Sequence, residues 1–331
     1  MIKNNQRQLT FFFFFSCWLL LSVTAGFRTP GFDRDSIIYI EMMNRSIDQL
    51  WLQEPTFIAI VLINRFLFDG DYETFFLAYA LIGIGIKIIA IRRLPAYQFI
   101  AFIVYVALYF ALHDLTQIRV GVASGFFLLS LTYIPVSRKK AFLLQCMAAL
   151  FHYSAILGFC TLLFSAKKIN KFFFGSVVIL SIAISKFLTQ DFLLSIINHL
   201  PDFLSLKLTS YIIGLNSTGL FETFNQYNFY HLGQAVLFFI LLFKIKERNN
   251  DTTSALMIIC TKVIAVAIVS YYILAPVPIF AGRISEFFGI AMIIFIPMVI
   301  SLLRPQWLSA GVLLIFVLIQ GIRLTITILT T

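Results

Sequence analysis

Residues 75–93 read FFLAYALIGIGIKIIAIRR, and this stretch decides the fold class. The run from Phe75 to Ile91 is predominantly apolar, and Arg92 and Arg93 follow it directly. A helix that crosses the hydrocarbon core of a bilayer needs roughly 17 to 25 such residues. Basic residues beside a span mark its cytoplasmic side. The stretch therefore predicts a transmembrane helix whose carboxyl end faces the cytoplasm.

The rest of the 331-residue chain has a similar composition. Hydrophobic residues make up 60% of it, charged residues make up 12%, and the mean hydropathy is +0.93. A soluble domain is about a quarter charged, so a single soluble domain and a disordered chain are excluded. The four cysteines lie inside apolar runs without paired or metal-ligand spacing, which argues against a disulfide scaffold. They are Cys17, Cys146, Cys160 and Cys260.

The formal net charge of +10 would suit a nucleic-acid ligand in a soluble protein. Here most lysines and arginines fall in short breaks between apolar runs. The excess charge therefore indicates membrane orientation, and no nucleic-acid partner is expected. The basic breaks that we expect in the cytoplasm are residues 92–93, 138–140 and 167–171. Lys3 and Arg7 precede the first apolar run and predict a cytoplasmic N-terminus, with a cleavable signal peptide ending near Ala25 as the alternative.

Together the apolar runs predict an all-α fold, a polytopic integral membrane helical bundle with roughly 9–11 membrane segments. Residues 1–331 are expected to form a single membrane domain within the lipid bilayer. Its two external loops are an acidic one at residues 28–54 and a long one at residues 189–230, and residues 113–119 are expected to form a short outer turn. Phe151-His152-Tyr153-Ser154 interrupts the apolar run 141–165, which predicts a re-entrant or broken helix.

Polar residues in or beside a membrane are costly, so they are the first candidates for function. Four groups of them fall on the external side of this topology, although they are far apart in sequence. They are Asp33, Asp35 and Tyr39 with Glu54; residues 113–119; His152 with Tyr153; and Arg283. Because they share one face of the membrane, we expect them to line one cavity.

These same segments resemble the EpsG family, a branch of the Wzy-type polymerases of O-antigen and exopolysaccharide repeat units. The resemblance covers roughly residues 28 to 300, and Ser36 departs from it, since the family often has Tyr there. The segments that carry it are Gly31-Phe32-Asp33-Arg34-Asp35 with Tyr39, Glu54-Pro55-Thr56-Phe57, residues 117–123, residues 149–155, and Arg283 before Phe287.

The resemblance implies a polymerase of a polysaccharide, be it O-antigen, capsule or exopolysaccharide. Such a glycosyltransferase is a multi-pass protein of the bacterial inner (cytoplasmic) membrane and acts at its outer face. It transfers a glycan from a polyprenyl-diphosphate carrier to a lipid-linked repeat unit. The implied partners are the polyprenyl-diphosphate-linked oligosaccharide, a chain-length regulator and a flippase.

Arg119 and Arg283 are the candidates for binding the diphosphate. Arginine stays charged when partly buried and presents a planar fork of donors that matches phosphate oxygens. The alternatives are an interfacial arginine or an ion pair with Asp114 for Arg119, and a pair with Glu286, three residues along the same helix, for Arg283.

His152, Glu54 and Asp35 are the catalytic candidates, because the acceptor hydroxyl must lose a proton and each of these groups can accept one. A structural histidine and a helix cap at Glu54 before Pro55 are the alternatives. Tyr39, Asn225 and Tyr227 are the candidates for binding glycan, with a solvated loop as the alternative for the last two.

The Asp33-Arg34-Asp35 pattern resembles a metal-binding DxD motif. Enzymes that use this motif on nucleotide sugars carry a cytosolic α/β domain, which this chain lacks, so neither a metal nor a cofactor is expected. Three rival functions remain open, and the least specific of them is a non-catalytic assembly partner. A transporter or flippase of the lipid-linked glycan would place basic residues along a path through the membrane, whereas a membrane acyltransferase that modifies the glycan would need a histidine but no diphosphate clamp.

Overall fold

The computed structural model describes residues 2–51, 53–188, 225–247 and 251–330, with four isolated residues between 188 and 225. Within these ranges every regular element is a helix, so the predicted all-α class is confirmed. Most of the predicted external loop at residues 189–230 lies outside the described residues.

The described residues from 2 to 188 contain nine α-helices and two helices of other types. The α-helices are α1 (Ile2–Gly26), α2 (Arg34–Met43), α3 (Ile47–Leu50), α4 (Pro55–Phe68), α5 (Tyr72–Arg92), α6 (Gln98–Tyr105), α7 (Ile118–Tyr133), α8 (Arg138–Phe151) and α9 (Lys171–Ile184). A π-helix, Val106–Thr116, continues α6, and a 3-10 helix, Tyr153–Leu163, follows α8. The described residues of the second half form α10 (Phe229–Lys244), α11 (Thr252–Ile273), α12 (Pro278–Gly289), α13 (Met292–Leu302) and α14 (Gln306–Thr330).

Length and hydropathy qualify five of the described helical segments to cross a membrane. They are Gln6–Gly26, Tyr72–Arg92, Gln98–Thr116, Thr252–Ile273 and Gln306–Ile328. Helices α12 and α13 meet at a bend of 58° and qualify only as a pair, and α4, α7, α9, α10 and the 3-10 helix are shorter apolar segments. The chain is therefore a polytopic helical bundle, as the sequence predicts.

Contacts between helices fix the direction in which each one runs. The indole Nε1 of Trp18 in α1 donates to the carbonyl oxygen of Leu81 in α5 at 2.9 Å, and the Arg92 guanidinium lies 5.2 Å from the Phe11 ring. Helices α1 and α5 are consequently antiparallel. Helix α7 runs in the same direction as α5, because Gly83 of α5 lies against Val122 and ten residues further on Arg93 donates to Thr132 of α7.

The predicted interruption at residues 151–154 is present and produces a helical hairpin. Helix α8 ends at Phe151, His152 has extended backbone angles, and the 3-10 helix returns from there. Arg138, at the start of α8, donates to the carbonyl oxygens of Leu162 and Phe164, both at 3.0 Å. Both ends of the hairpin therefore lie on one side of the bundle, and His152 lies at its tip.

The expected short outer turn at residues 113–119 is wrong for its first half, which is buried and helical. His113 and Asp114 belong to the π-helix and are 0% and 3% exposed. Asp114 is held inside because Lys87 of α5 donates to its Oδ1 at 2.7 Å and the hydroxyl of Tyr105 donates to its Oδ2 at 2.8 Å. A buried carboxylate is tolerable only with such partners.

Candidate functional site

Glu54 lies at the centre of a group of polar side chains that come from three separate parts of the chain. It precedes Pro55 at the N-cap position of α4, but its carboxylate makes no hydrogen bond to the backbone of that helix. Instead its Oε1 lies 2.7 Å from Nδ1 of His152 and its Oε2 lies 2.5 Å from Nη1 of Arg119. Glu54 is 3% exposed, so these two contacts are made away from bulk solvent.

The tip of the hairpin is attached to the start of α4, which is what brings His152 to Glu54. The hydroxyl of Thr56 donates to the carbonyl oxygen of Leu150 at 2.7 Å. The hydroxyl of Tyr153 donates to the backbone carbonyl oxygen of Gln53 at 3.2 Å. These bonds flank the His152–Glu54 contact on both sides and fix its geometry.

Arg119 lies in the first turn of α7 and reaches the same point from another direction. Its Nη1 also donates to Oε1 of Gln53 at 2.9 Å, and its guanidinium lies 5.2 Å from the Phe57 ring and 5.5 Å from the Tyr39 ring. Its Nε is buried and has no hydrogen-bond partner. The ion-pair partner of Arg119 is thus Glu54 and not Asp114, the alternative that the sequence offered. Asp114 pairs with Lys87 instead.

Electrostatics keep the Glu54 carboxylate ionised. Burial acts to raise the pKa of Glu54, but the hydrogen bond from His152 and the charge of Arg119 outweigh it, and the pKa lies below its ordinary value. An ionised carboxylate can only accept hydrogen bonds. Nδ1 of His152 must therefore carry the proton of that contact, and in a neutral imidazole this leaves Nε2 with a free lone pair.

The three side chains open onto a cavity of about 630 Å³, which we call the first cavity. Arg283 of α12 lines it as well, so Glu54, Arg119, His152 and Arg283, which the sequence predicted from four distant segments, meet at one place. Among the described residues no acidic side chain forms an ion pair with Arg283 within 4.0 Å, although Glu286 is close enough to interact with its charge. The apolar part of the lining includes Leu157, Phe280 and Phe287.

The other predicted site residues lie outside the first cavity. Tyr39 is 6% exposed and packs beneath the Arg119 guanidinium, and Asp35 is half-buried in the first turn of α2. The hydroxyl of Tyr227 lies 3.0 Å from that of Ser185, and Asn225 lines a separate cavity. Their expected roles stay predictions.

Asp33 has a structural role in the described part of the chain. Its carboxylate accepts a hydrogen bond from the backbone N–H of Ser36 at 2.9 Å, which caps α2, and it pairs with Arg28 at 3.4 Å. Across residues 2–51, 53–188, 225–247 and 251–330, no three His, Cys, Asp or Glu side chains come together as a metal site would need.

Sequence reasoning missed Gln53 and most of the second cavity, of which it singled out only Asn225. Gln53 adjoins Glu54 and binds Arg119, but a glutamine in a polar loop gives no signal of its own. The residues of the second cavity come from the π-helix, from the segment just before α10, and from α10, α12 and α14, and their assembly reveals the cavity.

Comparison with known proteins gives one match. The EpsG family model matches residues 11–331, nearly the whole chain. No curated protein and no solved structure matches it.

Proposed function

Because the chain belongs to the EpsG family, we propose that it is a polysaccharide polymerase of the bacterial inner membrane. In this proposal a growing glycan leaves its polyprenyl-diphosphate carrier and is transferred to the terminal sugar of a lipid-linked repeat unit, at the outer face of the membrane. The observation that carries the proposal is the chain of contacts from Arg119 through Glu54 to His152, at a cavity that also contains Arg283.

The charge of the first cavity suits a diphosphate. Arg119 and Arg283 contribute two positive charges and Glu54 contributes one negative charge, which leaves an excess of one positive charge while His152 is neutral. Arg283 is exposed and has no ion-pair partner among the described residues, so its donors are available to the ligand. Arg119 uses Nη1 to hold Glu54 and Gln53, and its guanidinium lines the cavity as a fixed positive charge.

His152 is the proposed general base, and Glu54 is the group that orients it. A carboxylate on Nδ1 fixes the tautomer and stabilises the imidazolium that forms when Nε2 takes a proton. In the reaction the bond between the sugar anomeric carbon and the diphosphate oxygen breaks, and its electron pair leaves with the diphosphate. The acceptor hydroxyl oxygen forms the new bond to that carbon, and its proton passes to Nε2 of His152.

A lipid-linked substrate must enter from the bilayer, and the hairpin supplies an apolar side to the first cavity. Tyr153 and Leu157 line the cavity and are 51% and 44% exposed, and the neighbouring Ile156 is 59% exposed. Exposed apolar groups at a membrane span face lipid without cost. A polyprenyl chain can therefore lie along the 3-10 helix while its diphosphate reaches the arginines.

The buried lysines do not favour the rival transporter function. A pathway for an anionic lipid would need unpaired cations inside the bundle. Lys87 is paired with Asp114, and Lys262 donates to the carbonyl oxygens of Ser165 and Lys168 at 2.6 and 2.7 Å. Both cations are already used within the protein.

The test is polymerisation by purified protein in nanodiscs. The substrate is the lipid-linked repeat unit extracted from cells that lack this chain, and the product is a ladder of longer lipid-linked glycans. We expect His152→Gln to slow ladder formation roughly a hundredfold or more, because a general base contributes about that factor. Arg283→Ala should do the same at low substrate concentration.

The matched control is Glu73→Gln, which changes a carboxylate to an amide in the first turn of α5 and lines neither cavity. It should polymerise as the wild type does. A wild-type protein that makes no ladder would contradict the proposed function. A His152→Gln protein that polymerises at the wild-type rate would contradict the role of His152 as general base, but not the proposed polymerase function.

A further inference from the structure

A second cavity lies on the other side of α12. It has a volume of about 510 Å³, within the range of small-molecule sites. Phe280, Arg283 and Phe287 of α12 line the first cavity, and Ser285 and Glu286 line the second. Residues three to four apart share one face of a helix, so α12 turns one face to each cavity and forms the wall between them.

The second cavity differs from the first in charge. Its charged side chains are Glu286 and Arg323, one of each sign, so it has no excess positive charge for a diphosphate. Its remaining polar groups are amides and hydroxyls, chiefly Asn225, Asn228 and Gln320. Such groups both donate and accept hydrogen bonds, which is what the hydroxyls of a sugar require.

Aromatic rings complete the lining and are held in place. Tyr109, Tyr230 and His231 contribute rings to the cavity, and an apolar ring face packs against the C–H face of a sugar. The hydroxyl of Tyr109 donates to the carbonyl oxygen of Gly289, at the end of α12. His231 stacks on Tyr271 with ring centroids 3.4 Å apart, and Nδ2 of Asn228 donates to the hydroxyl of Tyr271 at 2.8 Å. The site is therefore formed before any ligand arrives.

Two side chains in this cavity have unused hydrogen-bonding capacity. Among the residues that the structure describes, neither Glu286 nor Gln320 makes a side-chain hydrogen bond or an ion pair. Gln320 is 7% exposed and lies in the middle of an otherwise largely apolar stretch of α14. Both side chains line the cavity, so their free hydrogen-bonding groups are available to a ligand there.

We infer that the second cavity is a saccharide-binding site, which holds sugars of a lipid-linked substrate while the diphosphate end of the reaction occupies the first cavity. The inference rests on the proposed function for the identity of that saccharide. The rings, the amides and the balanced charge select the uncharged, hydroxyl-rich part of the substrate.

The experiment separates the two halves of the substrate with two probes. One is the repeat-unit oligosaccharide, released from its carrier by mild acid and fluorescently labelled, which carries no diphosphate. The other is polyprenyl diphosphate without sugar. Binding of each probe is measured by equilibrium methods to the full-length protein in nanodiscs, so no turnover is required.

We expect Glu286→Gln and Gln320→Leu each to weaken oligosaccharide binding about tenfold. Gln320→Leu removes a hydrogen bond to the sugar, and Glu286→Gln replaces a charged acceptor by a weaker neutral one. Both should leave the binding of polyprenyl diphosphate unchanged. Arg283→Ala should show the reverse pattern, and Glu73→Gln should change neither. Gln320→Leu keeps the side-chain volume in an apolar helix, so it folds even if Glu286→Gln does not.

Unchanged oligosaccharide binding in Gln320→Leu and in a folded Glu286→Gln would overturn the inference. So would a loss of polyprenyl diphosphate binding in these variants, since the cavity would then hold a lipid headgroup. Failure of the proposed function looks different, because a protein that makes no polymer still reports oligosaccharide binding at the second cavity.

Discussion

At the residue scale, Arg119 and Arg283 share a charge but differ in how they are held. Arg119 is bound to Glu54 and Gln53, whereas Arg283 is exposed and unpaired within the described part of the chain. In the proposed reaction Arg119 would therefore have two tasks, to fix the carboxylate that orients His152 and to bind the diphosphate. Arg283 would have only the second task.

We expect this difference to separate the two arginines kinetically. Arg119→Lys keeps the charge but loses the planar fork, so it should lower kcat on the order of a hundredfold. Arg283→Lys should mainly raise KM for the donor and keep most of kcat. Steady-state rates of ladder formation at several donor concentrations measure both constants, and equal losses in kcat for the two lysine variants would refute the assignment.

The pKa of Glu54 also makes stability depend on pH. The hydrogen bond from His152 and the charge of Arg119 hold the folded-state pKa below the unfolded value of about 4.3. A lowered carboxylate pKa stabilises the fold at pH values above the unfolded pKa, and this stabilisation is lost as pH falls through the folded value.

The midpoint of thermal unfolding in detergent should therefore fall as the pH drops below about 4.3. In Glu54→Gln, which cannot titrate, this part of the fall should be absent, while the remaining acid sensitivity stays. Glu73→Gln serves as the control and should follow the wild-type curve. Parallel curves for wild type and Glu54→Gln would show that the carboxylate contributes no such stabilisation.

At the scale of elements, the Lys87–Asp114 pair joins α5 to the π-helix inside the bundle. Both side chains are almost fully buried, and a Cβ on Gly83 would lie 3.0 Å from Asp114 Oδ1. Losing one partner of a buried ion pair costs roughly 3–5 kcal/mol, whereas replacing both with apolar groups is often neutral.

We therefore expect Lys87→Met alone to lower the unfolding temperature strongly, because Asp114 stays buried without its cation. The double variant Lys87→Met, Asp114→Leu should recover most of the loss. Thermal unfolding of both purified proteins in one detergent measures the difference. A double variant no more stable than the single one would indicate that the pair itself, and not its charge balance, holds these helices together.

The sequence predicted the direction in which each helix crosses the membrane. It did not predict which face of a helix packs against which neighbouring helix. Basic breaks placed Glu54, Arg119, His152 and Arg283 at one level of the membrane, and the structure brings them together. Helix rotation depends on tertiary packing, which no local pattern records. Arg283 and Glu286 are three residues apart and were candidates for pairing with each other, yet they line different cavities.

Glu54 shows the same limit at a single residue. Its position before Pro55 is equally suited to a helix cap and to a catalytic role. The contacts that favour the second role come from residues 65 and 98 positions further along the chain. Only the attachment of the hairpin tip to α4 creates them, and the sequence of either segment alone gives no sign of it.

At the scale of the whole molecule, the charged residues are divided between the two ends of the bundle. Helices α5 and α7 both run toward a basic end, where Arg93 binds Thr132 and the ammonium of Lys140 lies 5.7 Å from the Tyr133 ring. Arg119 lies at the opposite end of α7, with Glu54 beside it. The positive-inside rule therefore predicts that the first cavity faces outward.

Single cysteines test this orientation in a variant whose four native cysteines are replaced by serine or alanine. A cysteine at Asp48, which is exposed near Glu54, should react with an impermeant thiol reagent in intact spheroplasts. A cysteine at Lys139, exposed at the basic end, should react only after lysis. The reverse pattern would place the site in the cytoplasm and contradict the proposed reaction at the outer face.

Helix α12 lines both cavities, so a movement of this one helix would change both of them. A saccharide that shifts α12 changes the position of Arg283 and with it the affinity for diphosphate. Reciprocity then requires diphosphate to change the affinity for saccharide by the same factor. Each dissociation constant, measured with and without the other ligand, gives one such ratio. The two ratios must agree, and the logarithm of their common value, multiplied by −RT, is the coupling free energy between the two cavities.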